Sequence, residues 1–585
     1  MMKNAKKLKI LGFVTIFSLS LALVFILKLN FHQLEAKDEL TNQAPQASVS
    51  LGTNLNVIAD WSTEMPFLDA FKSSRQWITQ CQKGEVGCSG SWGSQEYDKL
   101  DLDENGWVKS LPKPEDPPEY TRVSTLMFTG MEGNYPGGKY VVLYEGEGTI
   151  KYDFDAQKDE TASQPQRDVI NVTPSGKGIQ LIITATDPKK NGNYLRNIRV
   201  VQEQYETTYQ AEIFNPVFLE KISKYSALRF MDWMGTNNSE QGEWSKRPKI
   251  EQASYAYGGK APREIMVALA NRLKADPWFN MPHKATDEYL TNFAQTVKDS
   301  LDPSLTIYVE YSNEVWNPQF EQFHWVRDNG AIPGGKTPYQ SYGVRTAQMC
   351  DIWKGVFGTQ SNRVKCVMGT QTSNPWVADQ VLNCDQWQAA PCYQHGIDVL
   401  AITGYFSGML GKPENEKTLE SWLDSAYIDE FAKALTQLKN GSVFQLKDNR
   451  DVQSLVQRFN DYSTMAKEKG LNLVVYEGGS HVVGLENVVN NERITQFFTE
   501  LHRRPEFYHL YREMLAAWQD PEGVRTLFMH FTDIGSSSKW GSWGALENVY
   551  QESSPRYDAL MDFIASLNSK KPVEQLSIPD EWLDN

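Results

Sequence analysis

The chain is short of positive charge: 58 Lys and Arg stand against 73 Asp and Glu, leaving a net charge of −15 over 585 residues. Nucleic-acid affinity is carried mainly by cations that neutralise phosphates, so that class of partner is excluded. Histidine is scarce, with eight residues scattered singly, and no CxxC or HExxH spacing occurs, so no metal site is indicated. No GxGxxG follows an early strand, which argues against a doubly wound dinucleotide fold, and no cofactor is implied. Long apolar runs are also absent, with one exception. Ile10 to Leu27 is uncharged and mostly apolar, preceded by Lys3, Lys6, Lys7 and Lys9 and stopped by Lys28. It reads as an export signal, either cleaved or kept as a single-span anchor, which holds the N-terminus inside and sends the rest across. Membrane anchoring therefore rests on residues 10–27 alone. The folded part is expected outside the cytoplasm, whether secreted, periplasmic or held at the membrane facing outward.

What is present is aromatic surface. Trp, Tyr and Phe number 17, 26 and 26, or 12% of the chain, against a charged content of only 22%. Most such rings belong to a core, but exposed ones stack on sugar rings. The six cysteines, an even count, suit an oxidising compartment and form three couples close in sequence: Cys81 with Cys88, Cys350 with Cys366, and Cys384 with Cys392.

Residues 1–28 are the export segment, and 29–50, rich in Gln, Ala, Ser and Asn, read as a linker. Leu51 to Ile58 begins the folded part as a strand, with a helical stretch expected around Pro66 to Thr79. Residues 98–212 change character to short β runs, such as STLMFTG, RDVINVT and KGIQLIITATD, separated by Gly, Pro and Asn turns. That pattern predicts an all-β sandwich. Strands then alternate with helices: Ala227 to Trp233, Pro277 to Met281, Leu305 to Tyr311, Arg363 to Gly369, Asp398 to Gly404, Leu471 to Tyr476 and Val524 to His530. With the first strand these make eight βα units, the count of a closed (β/α)8 barrel. The barrel is expected over 51–97 and 213–565, with the sandwich inserted after its first strand and residues 566–585 as a tail.

In such a barrel the chemistry sits at the C-terminal ends of the strands. Two of these ends carry a carboxylate: TIYVEYSNEVWN places Asn313 and Glu314 after the fourth strand, and LVVYEGGSH places Glu477 after the seventh. Cleaving a glycosidic bond with retention needs a protonated carboxyl for the leaving oxygen and a second carboxylate about 5 to 5.5 Å away to attack the anomeric carbon. The apolar surfaces of Tyr311, Val315 and Trp316 suit a raised pKa at Glu314. Glu477 needs a lowered one, which hydrogen bonds from Arg229 and Tyr405 would supply. Glu310, two residues inside its strand end, suits a partner role. Asp60, Trp61, Asp232 and Trp233 close the first two strands, where lining roles are open.

This constellation resembles the clan A retaining glycoside hydrolases, over roughly residues 50–96 and 213–565. The resemblance implies that Glu314 is the acid/base, that Glu477 is the nucleophile and that Asn313 binds the sugar 2-hydroxyl. It implies that Arg229 and Tyr405 position the nucleophile and that Trp540 or Trp543 floors the subsite of the attacked sugar. His283, after the third strand, is a candidate to line the same pocket, and His481 is a weaker one. The substrate implied is an extracellular polysaccharide or oligosaccharide. The β insertion is not part of the clan's common pattern; in architecture alone it resembles a carbohydrate-binding sandwich. Two alternatives share these residues or this architecture: a transglycosylase, and a non-catalytic carbohydrate-binding protein of the cell surface.

Overall fold

The computed structural model describes residues 49–85, 87–112, 119–256, 260–329, 337–384, 387–520 and 522–569. The export segment and linker lie outside the described residues. Among those described, no helix is long and apolar enough to cross a membrane.

Eight parallel strands close a barrel in sequence order: β1 (Ser50–Asn54), β2 (Ala227–Arg229), β3 (Asp276–Met281), β4 (Ile307–Tyr311), β5 (Val364–Gly369), β6 (Val399–Phe406), β7 (Asn472–Ser480) and β8 (Arg525–His530). Closure is made by β1 pairing with β8 on one side and β2 on the other. Each strand alternates between two apolar environments, as burial on both faces demands. One set of side chains, including Ala227, Trp278, Val367, Ala401, Val474, Tyr476 and Met529, fills the barrel interior. The other, including Leu228, Phe279, Val309, Leu400, Val475 and Phe528, packs against the surrounding helices. Side-chain caps fix where helices begin. Thr286 caps Asp287–Ser300 through Tyr289 N–H, and Asp451 caps Val452–Glu468 through Ser454 N–H, so orphan donors of the first turns are satisfied by side chains.

Between β1 and β2 the chain leaves the barrel and builds two four-stranded antiparallel sheets. One contains Ile78–Gln80, Arg122–Met127, Gly148–Phe154 and Ile179–Thr186; the other contains Gly138–Glu145, Ala156–Lys158, Arg167–Val172 and Arg196–Gln202. Their apolar faces, with Val123, Leu181 and Ile183 from the first sheet and Tyr140, Val142, Ile170 and Val200 from the second, join one buried cluster. The β region starts at Ile78 rather than at residue 98. The helix expected over Pro66 to Thr79 is only a 3-10 turn, Ala70–Ser73, capped by Asp69. Its continuation is prevented because Ile78, Thr79 and Gln80 find an edge to pair with in Arg122–Met127, a tertiary partner that local pattern does not reveal. Thr129 N–H and Oγ1 bond Asp60, in the loop that follows β1, tying the sandwich to the chain leaving the barrel.

Two of the three cysteine couples are disulfides, Cys81–Cys88 and Cys384–Cys392. Cys350 and Cys366 are not bonded, contrary to the expectation from their spacing. They sit on the helix Pro338–Phe357 and on β5, thiol against thiol in the dry layer between helix and barrel. There a thiol serves as a small apolar group.

Candidate active site

Arg229 is the hub of the barrel mouth. It closes β2, is fully buried, and spends its guanidinium on three strands. Nη1 donates to Glu477 Oε1 on β7 at 2.7 Å and to Asn54 Oδ1 on β1 at 3.0 Å. Nη2 donates to Glu310 Oε2 at 2.9 Å and to Asn313 Oδ1 at 2.8 Å. Glu310 in turn accepts from Trp278 Nε1 at 2.9 Å and Asn280 Nδ2 at 2.7 Å, so its charge is fully compensated. Asn54 Nδ2 bonds the carbonyls of Tyr476 and His530, which fixes β1 against β7 and β8 at the same level.

Glu477 reaches the mouth through an irregularity. Tyr476 already faces the barrel interior, so strict alternation would turn Glu477 outward into the helices. The register between β6 and β7 slips here: Ile402 pairs with Val475 but Thr403 pairs with Glu477, leaving Tyr476 as an extra residue. A bulge of this kind re-aims side chains, and it lets Tyr476 and Glu477 both face inward. Glu477 then takes Arg229 on Oε1 and the Tyr405 hydroxyl on Oε2 at 3.1 Å.

Glu314 stands on the loop after β4, where Ser312 and Glu314 adopt φ of 59° and 42°. Left-handed backbone at non-glycine residues is strain that the surroundings must hold, and such strain concentrates at functional sites. The holders are Tyr476 Oη, which donates to Glu314 Oε1 at 2.9 Å, and Asn317 Nδ2, which donates to Oε2 at 2.9 Å. Because Tyr476 is the chain neighbour of Glu477, this bond brings the two carboxyls close enough for the charge of Glu477 to act on Glu314.

Their electrostatics differ. Burial and then the charge of Glu477 push the Glu314 carboxyl up to about 7, so it holds a proton near neutrality. Burial also raises Glu477, while Arg229 and Tyr405 pull it back. The lowered pKa expected for Glu477 is therefore not reached, because withdrawal from water outweighs the one cation that Glu310 also shares. Asp232, after β2, feels the same field: burial and the Glu477 charge raise it to about 7. Of the pair, Glu477 is the one in contact with a guanidinium, and Glu314 is the one that keeps the proton.

The two tryptophans after β8 separate. Trp543 packs edge-on to Tyr405 at 5.8 Å, to His481 at 5.0 Å and to Phe531 at 5.7 Å, which places it beside Glu477's own partner. Trp540 is 65% exposed and reaches the site only through its carbonyl, which accepts from Trp543 Nε1. Both line a cleft of about 460 Å³ together with Trp61 and Phe531. His283 is not brought to the glutamates. Its ring is buried edge-on to Trp325, with no hydrogen-bond partner for either nitrogen among the described residues, and burial lowers its pKa to about 4. Sequence reasoning missed Tyr476, Asn317 and Asn54. The first was hidden by the bulge; Asn54 was hidden because the first strand reads on to Ile58 in sequence, whereas it ends at Asn54.

No family model matches the chain, and no curated protein matches it. Among solved structures it is similar to an α-L-arabinofuranosidase from Thermotoga maritima, at 12% identity and TM-score 0.34, covering 60% of this chain and 63% of that one. It is also similar to a Bacteroidetes-affiliated GH5 cellulase, at 10% identity and TM-score 0.34, covering 63% and 89%. A broad-specificity GH5-4 endoglucanase from Clostridium acetobutylicum gives 12% identity and TM-score 0.34, covering 60% and 89%. Likeness at this level carries no argument about activity. The (β/α)8 class follows from the strand order and pairing of this chain itself.

Proposed function

We propose that this chain is an exported retaining glycoside hydrolase acting on a polysaccharide or oligosaccharide. The observation that carries the reading is two buried carboxyls at the barrel mouth, linked through Tyr476 and with divided roles: Glu314 protonated near neutrality, and Glu477 paired with Arg229. In the first step Glu477 attacks the anomeric carbon while Glu314 gives its proton to the glycosidic oxygen, and the leaving sugar departs. In the second, Glu314, now a carboxylate, takes a proton from water, whose oxygen displaces Glu477. The starting states are restored. Tyr405 and Arg229 hold the nucleophile's two oxygens, and the second N–H of Asn313 Nδ2, beyond the one given to Asn237, is free for a sugar hydroxyl. The two disulfides suit an oxidising compartment.

The test is reducing-sugar release from a panel of plant, fungal, algal and bacterial polysaccharides. Release from none of them would overturn the proposal.

A pH profile gives a second check. Glu314 must be protonated to act, so kcat/KM falls about tenfold per pH unit once pH rises past about 7. The Tyr476 hydroxyl stabilises the ionised form of Glu314 and so lowers its pKa. Tyr476→Phe removes that bond and moves the alkaline fall to higher pH. A fall that stays put or moves lower contradicts the assignment of Glu314 as the acid.

The tryptophans differ in expected effect. Trp543→Ala, beside Tyr405, should lower kcat/KM by roughly 10- to 100-fold, through loss of a half-buried aromatic contact and of Tyr405's position. Trp540→Ala should cost less than tenfold and act on KM.

A further inference from the structure

Far from the glutamates, the sandwich holds large aromatic side chains in water. Trp92 is 53% exposed, Tyr97 38% and Phe154 37%. Trp92 and Phe154 lie with ring centroids 5.7 Å apart and planes only 10° from parallel. Carbon atoms in contact stand about 3.5 to 4.0 Å apart, so a 5.7 Å centroid distance means the rings are offset and each leaves part of its face open.

These rings are held, not merely left out. The chain is cross-linked by the Cys81–Cys88 disulfide four residues before Trp92. Gln80 Nε2 donates to the Trp92 carbonyl at 2.8 Å, Ser94 N–H to the Thr79 carbonyl at 2.8 Å, and Glu96 N–H to Thr79 Oγ1 at 3.0 Å. Phe154 takes φ of 62°, a conformation that bulky residues rarely adopt, and its N–H is fixed by Asp153 Oδ1 at 2.7 Å. Rigid backbone spent on exposing a strained aromatic needs a reason outside folding.

Beside Trp92 runs a cleft of about 530 Å³, lined by Tyr97, Trp77, Gln76, Gln95 and Arg75. A second cleft of about 480 Å³ continues it through the shared Arg75, Gln76, Trp77 and Tyr97. Arg75, the sole charge lining the first, is committed to Asp60 at 2.8 Å. Asp60 is the chain neighbour of Trp61, which lines the cleft at the barrel mouth with Phe531 and Trp543. The second cleft adds Asp103, bonded by the Tyr194 hydroxyl, and Glu104, paired with Lys249. The first, with aromatic faces, amide and hydroxyl rims and no charge beyond the paired Arg75 among its lining residues, suits neutral sugar rings, whose C–H faces are apolar and whose edges are hydroxyls.

We propose that Trp92, Phe154 and Tyr97 form a second glycan-binding platform, which grips a neutral polysaccharide chain on the same side as the catalytic cleft. The passage of that chain to Glu477 rests on the glycosidase reading; the binding does not. The platform makes the protein selective for long chains, since a short oligosaccharide in the barrel mouth never reaches it.

The test separates the two readings by measuring binding with hydrolysis removed. The full chain carrying Glu477→Gln is run in native gels cast with mixed-linkage β-glucan, xyloglucan, galactomannan or arabinoxylan. Trp92→Ala and Phe154→Asn are added singly in that background. Trp92 is largely outside the fold and Asn tolerates positive φ, so both variants keep the parent's melting temperature. The expected result is retardation by at least one polymer, weakened roughly fivefold to tenfold by each variant. Retardation by none, or retardation unchanged by both variants, overturns the platform. So does loss of concentration-dependent self-association in Trp92→Ala with glycan retardation intact, which would make this surface a protein contact. If the variants weaken retardation but the unsubstituted chain releases no sugar from any polymer, the glycosidase reading fails and the platform stands.

Discussion

Glu477→Gln is expected to lower hydrolysis by about 10⁴-fold or more while leaving the fold intact. The magnitude is that of removing one member of a catalytic unit whose parts act together. The fold survives because the amide keeps an oxygen for Arg229 Nη1, and Glu310 still balances the guanidinium. The same substitution has a spectroscopic consequence. The Glu477 charge is the second-largest cause of the raised Glu314 pKa, so removing it lets the Glu314 carboxyl titrate below about 7. Carbon-13 NMR of the Glu314 carboxyl reads this directly. Chemical rescue then separates the two roles. With Glu477→Ala, azide enters from the vacated face and gives a glycosyl azide of inverted configuration. With Glu314→Ala and an activated aryl glycoside, the nucleophile is intact, and azide replaces water in the second step to give the retained configuration. The reverse pairing of products would exchange the assignments, and full activity in both variants would end the proposal.

Arg229→Met should be the most costly single change to the barrel. It leaves Glu310 and Glu477 facing each other's charge in a dry interior, with Asn54 and Asn313 each short of a donor. Breaking a buried ion pair from one side costs about 3 to 5 kcal/mol, because the surviving charge has lost its compensation. Chemical denaturation measures the loss. Adding Glu310→Gln removes one of the stranded charges, so Arg229→Met/Glu310→Gln should recover part of the stability without recovering activity. Equal stability of Arg229→Met and the unsubstituted chain would show that the hub is not compensating these carboxylates. A surface pair such as Arg503–Glu547 offers the contrast: exposed to water on the arginine side, it is expected to contribute about 1 kcal/mol or less.

The barrel was legible because burial on both faces makes its strands near-continuous apolar runs, and each of the eight runs contains or overlaps a strand. The helices Asp287–Ser300, Val452–Glu468 and Glu492–Arg503 fall between strands, as the alternation of the sequence implies, while their Thr, Asp and Asn caps are seen only in the structure. Residues 78–80 were not, because a three-residue strand is made by its partner and not by its own composition. Among site candidates, Arg229, Asn313, Glu314, Tyr405 and Glu477 come together at the mouth because each stands at or just past a strand end. His283 also follows a strand end but turns into the layer beside Trp325. Position after a strand fixes the level of a side chain in the barrel but leaves its direction open. For Glu477 that direction depends on the bulge at Tyr476, a register slip between two strands that neither strand announces alone. The pairing of Cys350 with Cys366 failed on different grounds: proximity was there, but the thiols meet in a dry layer where nothing joins them.

The sandwich's place between β1 and β2 bears on the order in which the molecule assembles. Thr53 pairs with Leu228 and Ser50 with Leu527, so both edges of the first strand to leave the ribosome find their partners only far downstream. Contacts this distant in sequence form slowly, because the intervening chain must lose its freedom first. The inserted sheets pair only among themselves and can fold as soon as they emerge. Residues 50–54 can take β2 on one edge once it emerges, but the other edge stays open until β8 arrives. The first strand of the barrel is thus among the last to have both edges seated, and the bond from Asn54 to the His530 carbonyl cannot form before β8 is present.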